Sequence, residues 1–470
     1  MSATATTEKK YLKWYQKLAY GSGDLASNCS YGLVSSFVLL YLTGTLGLDS
    51  AIIGSLMLAS KVLDGISDVI FGTLIDRTNS KLGKARPWML FGQVGVSLCL
   101  FLLFAIPAGS TTMQYIYFFI VYTALNAVFY TANGIAYSSL VALITKNNNE
   151  RVQLGSFRFM FAVVTNIFMG FAVTGMVEKF GSGAAGWRTT ALIFAIVGLV
   201  VNTISCLAVK ELPEEELSGN TSEAAEEGKA VAEEKKHGFA ETAKILVHNK
   251  YYLMILAIYI VYYIMSNLTT GAGVFCATYY WGDGSLLGQF SMMKMFPVII
   301  ALAIAPVLIK KTGSMQKVNF WGYAISSVLG IPMIYFAMQK NLSMFLLFMF
   351  IKGIFAGTLS GSLNALIAEA SGYTTRTTGV HMDGMMYSCS SLGVKVGGGI
   401  GTAAVGWLLK LGGFVGTATV QSESAIRMIF NLYITFPFVI GIIITVLLAF
   451  LDVEKANKKW DAEHQKEAQA

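Results

Sequence analysis

The stretch ASKVLDGISDVIFGTLIDRTNSKLGKARPW, residues 59–88, decides how the chain is read, because it sets two acids and a base inside an apolar run. Asp64 and Asp68 are four residues apart, so a helix projects both carboxylates from one face about a turn apart, with Lys61 on the same face. An ionisable side chain at membrane depth costs about 2.5–3.5 kcal/mol on the lenient insertion scale. Three of them together therefore point to an ion site or ion pathway. The alternative is a structural charge pair, in which Lys61 answers one aspartate and a base on another helix the other. After Asp68 come Gly72, Asp76, Arg77, Gly83, Lys84 and Arg86, closed by Pro87 and Trp88, which make a short basic loop between two apolar spans.

Composition fixes the setting. Of 470 residues 54% are apolar and only 13% charged, and mean hydropathy is positive, which excludes an ordinary soluble protein of this size. The expected fold class is an all-α membrane protein of twelve transmembrane helices in two six-helix bundles. Apolar spans fall near residues 20–46, 51–76, 88–108, 114–143, 157–181 and 186–209, then 251–281, 285–309, 317–337, 343–369, 381–410 and 425–451, each long enough for a bilayer of about 30 Å. The domains expected are a cytoplasmic N-terminus at 1–19, one bundle at 20–209, a cytoplasmic linker at 210–250, a second bundle at 251–451 and a cytoplasmic tail at 452–470.

Lysines and arginines gather before span one, between spans two and three, four and five, six and seven, eight and nine, and after twelve, while loops such as TGTLGLDS and YYWGDGS nearly lack them. The positive-inside rule then puts both termini in the cytoplasm. The net charge of +7 is thus spent on topology and carries no nucleic-acid signal. The five cysteines are unclustered and imply neither disulfides nor a metal site. Residues 210–250, rich in Glu, Ala and Lys, read as a partly disordered linker.

Polar residues inside other spans complete the candidate site. Asp24 and Asn28 lie a turn apart, with Tyr20 and Tyr31 nearby; carboxylate, amide and phenol suit sugar hydroxyls, and aromatic faces cover a pyranose. The competing reading is that the Gly and Ser residues of that span pack closely and Asn28 bonds to a neighbouring helix. Span four offers Tyr130, Thr131 and Asn133, and Thr131 can lend an oxygen to a cation on the aspartate pair. Arg158 opens span five, where snorkelling would suffice to explain it. Lys395 lies deep in span eleven and needs a counter-charge or an anionic ligand.

Seven pieces occur in order along almost the whole chain: YGSGDLASN, LDGISD, DRTNSKLGKARPW, NGIAYSSLVALIT, SFRFM, GVHMDGMMYS and GVKVGGG. Together they resemble the glycoside–pentoside–hexuronide:cation symporter family, the melibiose-permease and glucuronide-permease branch of the major facilitator superfamily. The resemblance implies that Asp64 and Asp68, with Ser67 and Thr131 as oxygen donors, bind a coupling cation (Na+, Li+ or H+). It implies that Asn28, Arg158 and Lys395 line or brace the sugar site, and that the basic loop after span two pairs with helix ends in one conformational state. Three departures matter. Where melibiose permeases carry aspartates in spans one and four, this chain has Asn28 and Gly134, with Asn133 adjacent, and the arginine of the span ten to eleven loop is His381.

With two site acids missing and Arg158 and Lys395 retained, the expected substrate is an anionic sugar: a uronide, glucuronide or sulfonated sugar. A neutral pentoside or oligosaccharide, with Asp24 supplying charge, is the rival. An exporter of amphipathic compounds on the same fold is the reading from another class, and the polar set Asp24, Asn28, Tyr31, Arg158 and Lys395 argues against it. No nucleophile–base pair, phosphate loop or metal-ligand spacing marks an enzyme, and no cofactor is expected. The partners expected are a small sugar and the lipid bilayer, with no nucleic acid; the protein is expected to be a monomer in the inner (cytoplasmic) cell membrane.

Overall fold

The computed structural model describes residues 9–213, 245–379, 383–418 and 420–467, and among these every regular element is a helix. Among the described residues eleven helices are long and apolar enough to cross a membrane. A further 27-residue helix, Ser50–Asp76, carries Lys61, Asp64 and Asp68 and brings the long helices to twelve. The first six are α1 (Trp14–Thr45), α2 (Ser50–Asp76), α3 (Arg86–Leu103), α4 (Thr111–Ile144), α5 (Asn148–Lys179) and α6 (Gly183–Leu207). The second six are α7 (Lys250–Tyr280), α8 (Leu286–Thr312), α9 (Met315–Met338), α10 (Leu342–Thr378), α11 (Met385–Leu411) and α12 (423–450). The described residues fall into two compact units, those of Met1–Asp49 and Leu56–Lys236 and those of Ser50–Ser55 and His237–Ala470.

Helix ends depart from the apolar spans where polar side chains cap them. α1 begins at Trp14, ahead of the run expected to open at residue 20, because Gln16 Oε1 accepts the Lys13 amide at 2.9 Å and Glu150 accepts the amides of Tyr11 and Leu12 at 3.2 Å each. α5 likewise starts at Asn148, so Arg158 sits well inside its helix and does not open it. The tail expected after residue 452 is a helix over Val453–Glu467, α13, tied to the second unit through Asn457 and Glu369 at 2.8 Å. Residues 214–244 of the expected linker, residues 1–8 and His381 lie outside the described residues.

Each half closes the start of its third helix in the same way. After α6, the Glu211 carboxylate accepts the amides of Lys84, Ala85 and Arg86 at 2.7, 2.9 and 3.0 Å. After α12, the Glu454 carboxylate accepts those of Met315 and Gln316 at 2.8 and 3.2 Å and the Ser314 hydroxyl. In each case a carboxylate answers amides that no helical carbonyl can reach, at the positive end of the helix dipole. Arg86 Nε then donates to the Cys206 carbonyl of α6 at 3.2 Å, and Gln316 Nε2 to the Leu448 carbonyl of α12 at 2.8 Å.

Several helices widen into a π turn, and two of these turns set candidate side chains. One spans Ala124–Tyr130, just before Thr131, and the other Gly393–Gly397, around Lys395. Such turns rotate the next residues of the helix out of the regular register.

Candidate cation and sugar site

Thr131 follows its wide turn with its hydroxyl aimed at α2. Its Oγ1 lies 2.6 Å from Asp64 Oδ1 and 2.9 Å from the Asn126 carbonyl, so one proton can serve either acceptor. Lys61 Nζ stands 3.6 Å from the other Asp64 oxygen, on the same helix. Ser67 donates to the Asp64 carbonyl at 2.9 Å, which keeps its oxygen beside the acid but commits its proton to the backbone. Asp68 is half-buried one turn on. The contacts thus gather the Asp64 carboxylate, the Thr131 hydroxyl and the Lys61 ammonium, with Asp68 the next acid along α2. Among the described residues no group of three or more His, Cys, Asp and Glu side chains is placed to hold a metal ion.

A second cluster joins α1, α4 and α5. Arg158 Nε donates to Asp24 Oδ2 at 2.6 Å, and its guanidinium lies 4.2 Å from the centre of the Tyr137 ring. Tyr137 OH donates to the Tyr20 carbonyl at 2.8 Å and Tyr20 OH to the Tyr137 carbonyl at 2.5 Å, which locks α1 to α4 beside the ion pair. Asn28 Nδ2 bonds the Asp24 carbonyl at 2.7 Å, and its Oδ1 accepts from Asn166 of α5 at 2.9 Å. Tyr31 and Tyr130 stack with ring centres 5.7 Å apart, and Tyr130 is the chain neighbour of Thr131. A Cβ built on Gly134 meets nothing within 4 Å, so the position where melibiose permeases carry an acid is open space here. Half-buried carboxylate, guanidinium, amides and phenols on three helices are the groups a polyhydroxylated ligand needs.

Two expectations need correction. Asn133 does not belong to this cluster: its Nδ2 donates to the Met89 carbonyl of α3 at 2.8 Å, and Asn202 of α6 joins it there at 3.0 Å. Two residues along a helix turn the side chain about 200°, so Asn133 and Thr131 face nearly opposite ways. Arg158, on which the expectation of an anionic sugar rested in part, has its charge answered by Asp24. Lys395 lies in the wide turn of α11, half-buried, and belongs to the second unit.

The loop residues divide. Gly83 at φ +111° and the amides of Lys84 and Arg86 wrap the Glu211 carboxylate, while Asp76 and Arg77 are exposed and Gly72 faces open space. Sequence reading missed Glu211 and Asn166. Glu211 had a signal, an acid directly after an apolar span; Asn166 had only its place within one.

The profile described as "MFS/sugar transport protein" matches residues 19–455. The chain belongs to that family. It is accordingly a multi-pass membrane transporter of the major facilitator fold and not an enzyme. It is 26% identical to the "Isoprimeverose transporter" of Lactiplantibacillus pentosus over 466 residues, covering 98% of this chain and 93% of that protein. It is 24% identical to the "Glucuronide carrier protein homolog" of Escherichia coli (strain K12) over 408 residues, 86% and 85% of the two chains. Among solved structures, that of a D-xylose-proton symporter superposes with a TM-score of 0.65 at 12% identity, over 94% of this chain and 98% of the other, a likeness of fold.

Proposed function

We propose that the protein is a cation-coupled sugar symporter working by alternating access, with Na+, Li+ or H+ held at Asp64 and Asp68 and the sugar hydroxyls met by Asp24, Asn28, Arg158 and the Tyr31–Tyr130 pair. The observation that carries this reading is the Asp64 carboxylate gripped from α4 by Thr131 at 2.6 Å, one residue from the Tyr130 ring that stacks on Tyr31. A cation that tightens α2 on α4 thereby also fixes Tyr130, so ion and sugar share a wall. Relatives named as transporters or carriers of isoprimeverose and glucuronides support the substrate class. The basic loop distribution supports a cytoplasmic membrane location with both termini inside.

The finer proposal is that the sugar carries an acidic group. Arg158 lends this no support, since its charge is spent on Asp24, and the first unit alone would suit a neutral glycoside equally well. What supports it is the surplus of lysines inside the spans of the second unit.

Uptake into proteoliposomes tests the coupling. Asp68→Cys is expected to abolish accumulation driven by a Na+ or proton gradient while sugar exchange survives. Undiminished gradient-driven uptake by that variant removes the aspartate pair from the mechanism.

A further inference from the structure

The second unit holds two lysines at membrane depth that the site above does not use, Lys294 on α8 and Lys352 on α10, and both line one cavity of about 180 Å³. Lys294 Nζ donates to Thr270 Oγ1 at 3.2 Å, and among the described residues neither lysine forms an ion pair. The sequence explains why: between Asp283 and Glu369 it holds no acid at all. An ammonium at that depth without a counter-charge is costly, which makes such a residue a functional-site candidate.

Close helix packing brings the two lysines together. Gly353, Gly357 and Gly361 form a stripe on α10, and a Cβ on them would come within 2.8, 2.7 and 2.4 Å of Pro297, Ala301 and Leu302 of α8. Small residues at this spacing let two helix backbones approach closely. Lys352 directly precedes the stripe, and Lys294 lies three residues before Pro297, so the tight crossing holds both ammoniums against the same space. Tyr262, hydrogen-bonded to Ser360 at 2.7 Å, and Tyr323 line the same cavity and add hydroxyls.

The contrast with the first unit gives the site its sign. There the second and fourth helices, α2 and α4, bring carboxylates and a hydroxyl together around a place for a cation. In the second unit the second and fourth helices, α8 and α10, bring two ammoniums. We propose that this cavity, within the second unit, is an anion subsite in which Lys294 and Lys352 hold the carboxylate or sulfonate of an acidic sugar. This rests on the sugar-symport reading and names the substrate class for it. Pockets for whole drug-sized ligands begin near ~300 Å³, so a cavity of this size takes one part of a ligand.

The test uses the purified full-length protein in phosphatidylcholine nanodiscs, with binding of methyl β-D-glucuronide and methyl β-D-glucoside measured by calorimetry in Na+. The wild type is expected to bind the glucuronide at least tenfold more tightly. In Lys294→Gln/Lys352→Gln the preference is expected to fall to about twofold or less, with folding checked by size-exclusion and the unliganded melting transition. Lys352→Arg, which keeps the charge, is expected to retain most of the preference. A wild type without preference, or a double variant that keeps it, overturns the subsite. If phosphatidylglycerol added to the discs erases the wild-type preference, the cavity belongs to a lipid phosphate and the proposal is likewise overturned. Symport is read separately: Na+-stimulated uptake of the glucoside alone would end the anion subsite and leave the transport reading standing, whereas no cation-stimulated uptake of either sugar would end the transport reading.

Discussion

At the residue scale, charge inside apolar sequence was the legible signal. Asp64, Asp24 and Arg158 stand out in the sequence because lipid-depth charge is costly, and each has a partner on another helix or one turn away. The same rule applied evenly would have found Lys294 and Lys352, each alone in an apolar run. What sequence could not give was direction. Asn133 sits two residues from Thr131 yet points into the α3–α6 side of the bundle, and Asp24 cancels the arginine charge on which an anionic ligand was expected. Thr131 is the residue on which these directions can be tested. A hydrogen bond to a charged group contributes about 1.5–3 kcal/mol, so Thr131→Ala is expected to weaken the coupling cation by about tenfold or more. Thr131→Ser, which keeps the oxygen, is expected to stay within about threefold. Protection against thermal unfolding by titrated Na+ or Li+ measures both, and equal losses in the two variants would show that the methyl and not the hydroxyl matters.

At the scale of elements, the spans were readable from apolar runs but the ends were not, because ends are set by caps from distant sequence. Glu211 and Glu454 each reach back more than a hundred residues to close the start of a third helix. No periodicity announces such a pairing. Gly83 shows how tightly the cap is built: at φ +111°, a Cβ there would sit 2.4 Å from the Glu211 carboxyl carbon. Losing a cap typically costs about 0.5–2 kcal/mol. Glu211→Gln is expected to lie at the low end, since the amide oxygen still accepts, and Glu211→Ala at the high end. Gly83→Ala is expected to destabilise at least as much as Glu211→Ala, because strain in the left-handed region adds to the clash. Melting of the purified protein ranks the three, and a Gly83→Ala protein as stable as the parent would show that the loop closes in some other way.

For the whole molecule, composition and the even split of apolar spans were enough to foresee two helical halves, since a membrane leaves a chain of this hydropathy few other ways to satisfy its backbone. The equivalence of the halves was hidden. It shows in geometry, in the two carboxylate-capped third helices, while the second and fourth helices carry Asp64 and Asp68 in one half and Lys294 and Lys352 in the other. The proposed reading, cation in the first unit and acidic group in the second, makes a thermodynamic demand. If Na+ bound at Asp64 and Asp68 tightens the sugar by some factor, the sugar must tighten Na+ by the same factor, typically about 5–150-fold for coupling of 1–3 kcal/mol. Calorimetric titration of glucuronide at saturating and zero Na+, and of Na+ at saturating and zero glucuronide, should therefore give two equal ratios. In Asp68→Cys both ratios are expected to collapse toward one together, because the coupling runs through the ion. A sugar affinity that responds to Na+ in the parent and equally in Asp68→Cys would place the ion elsewhere and leave α2 a structural helix.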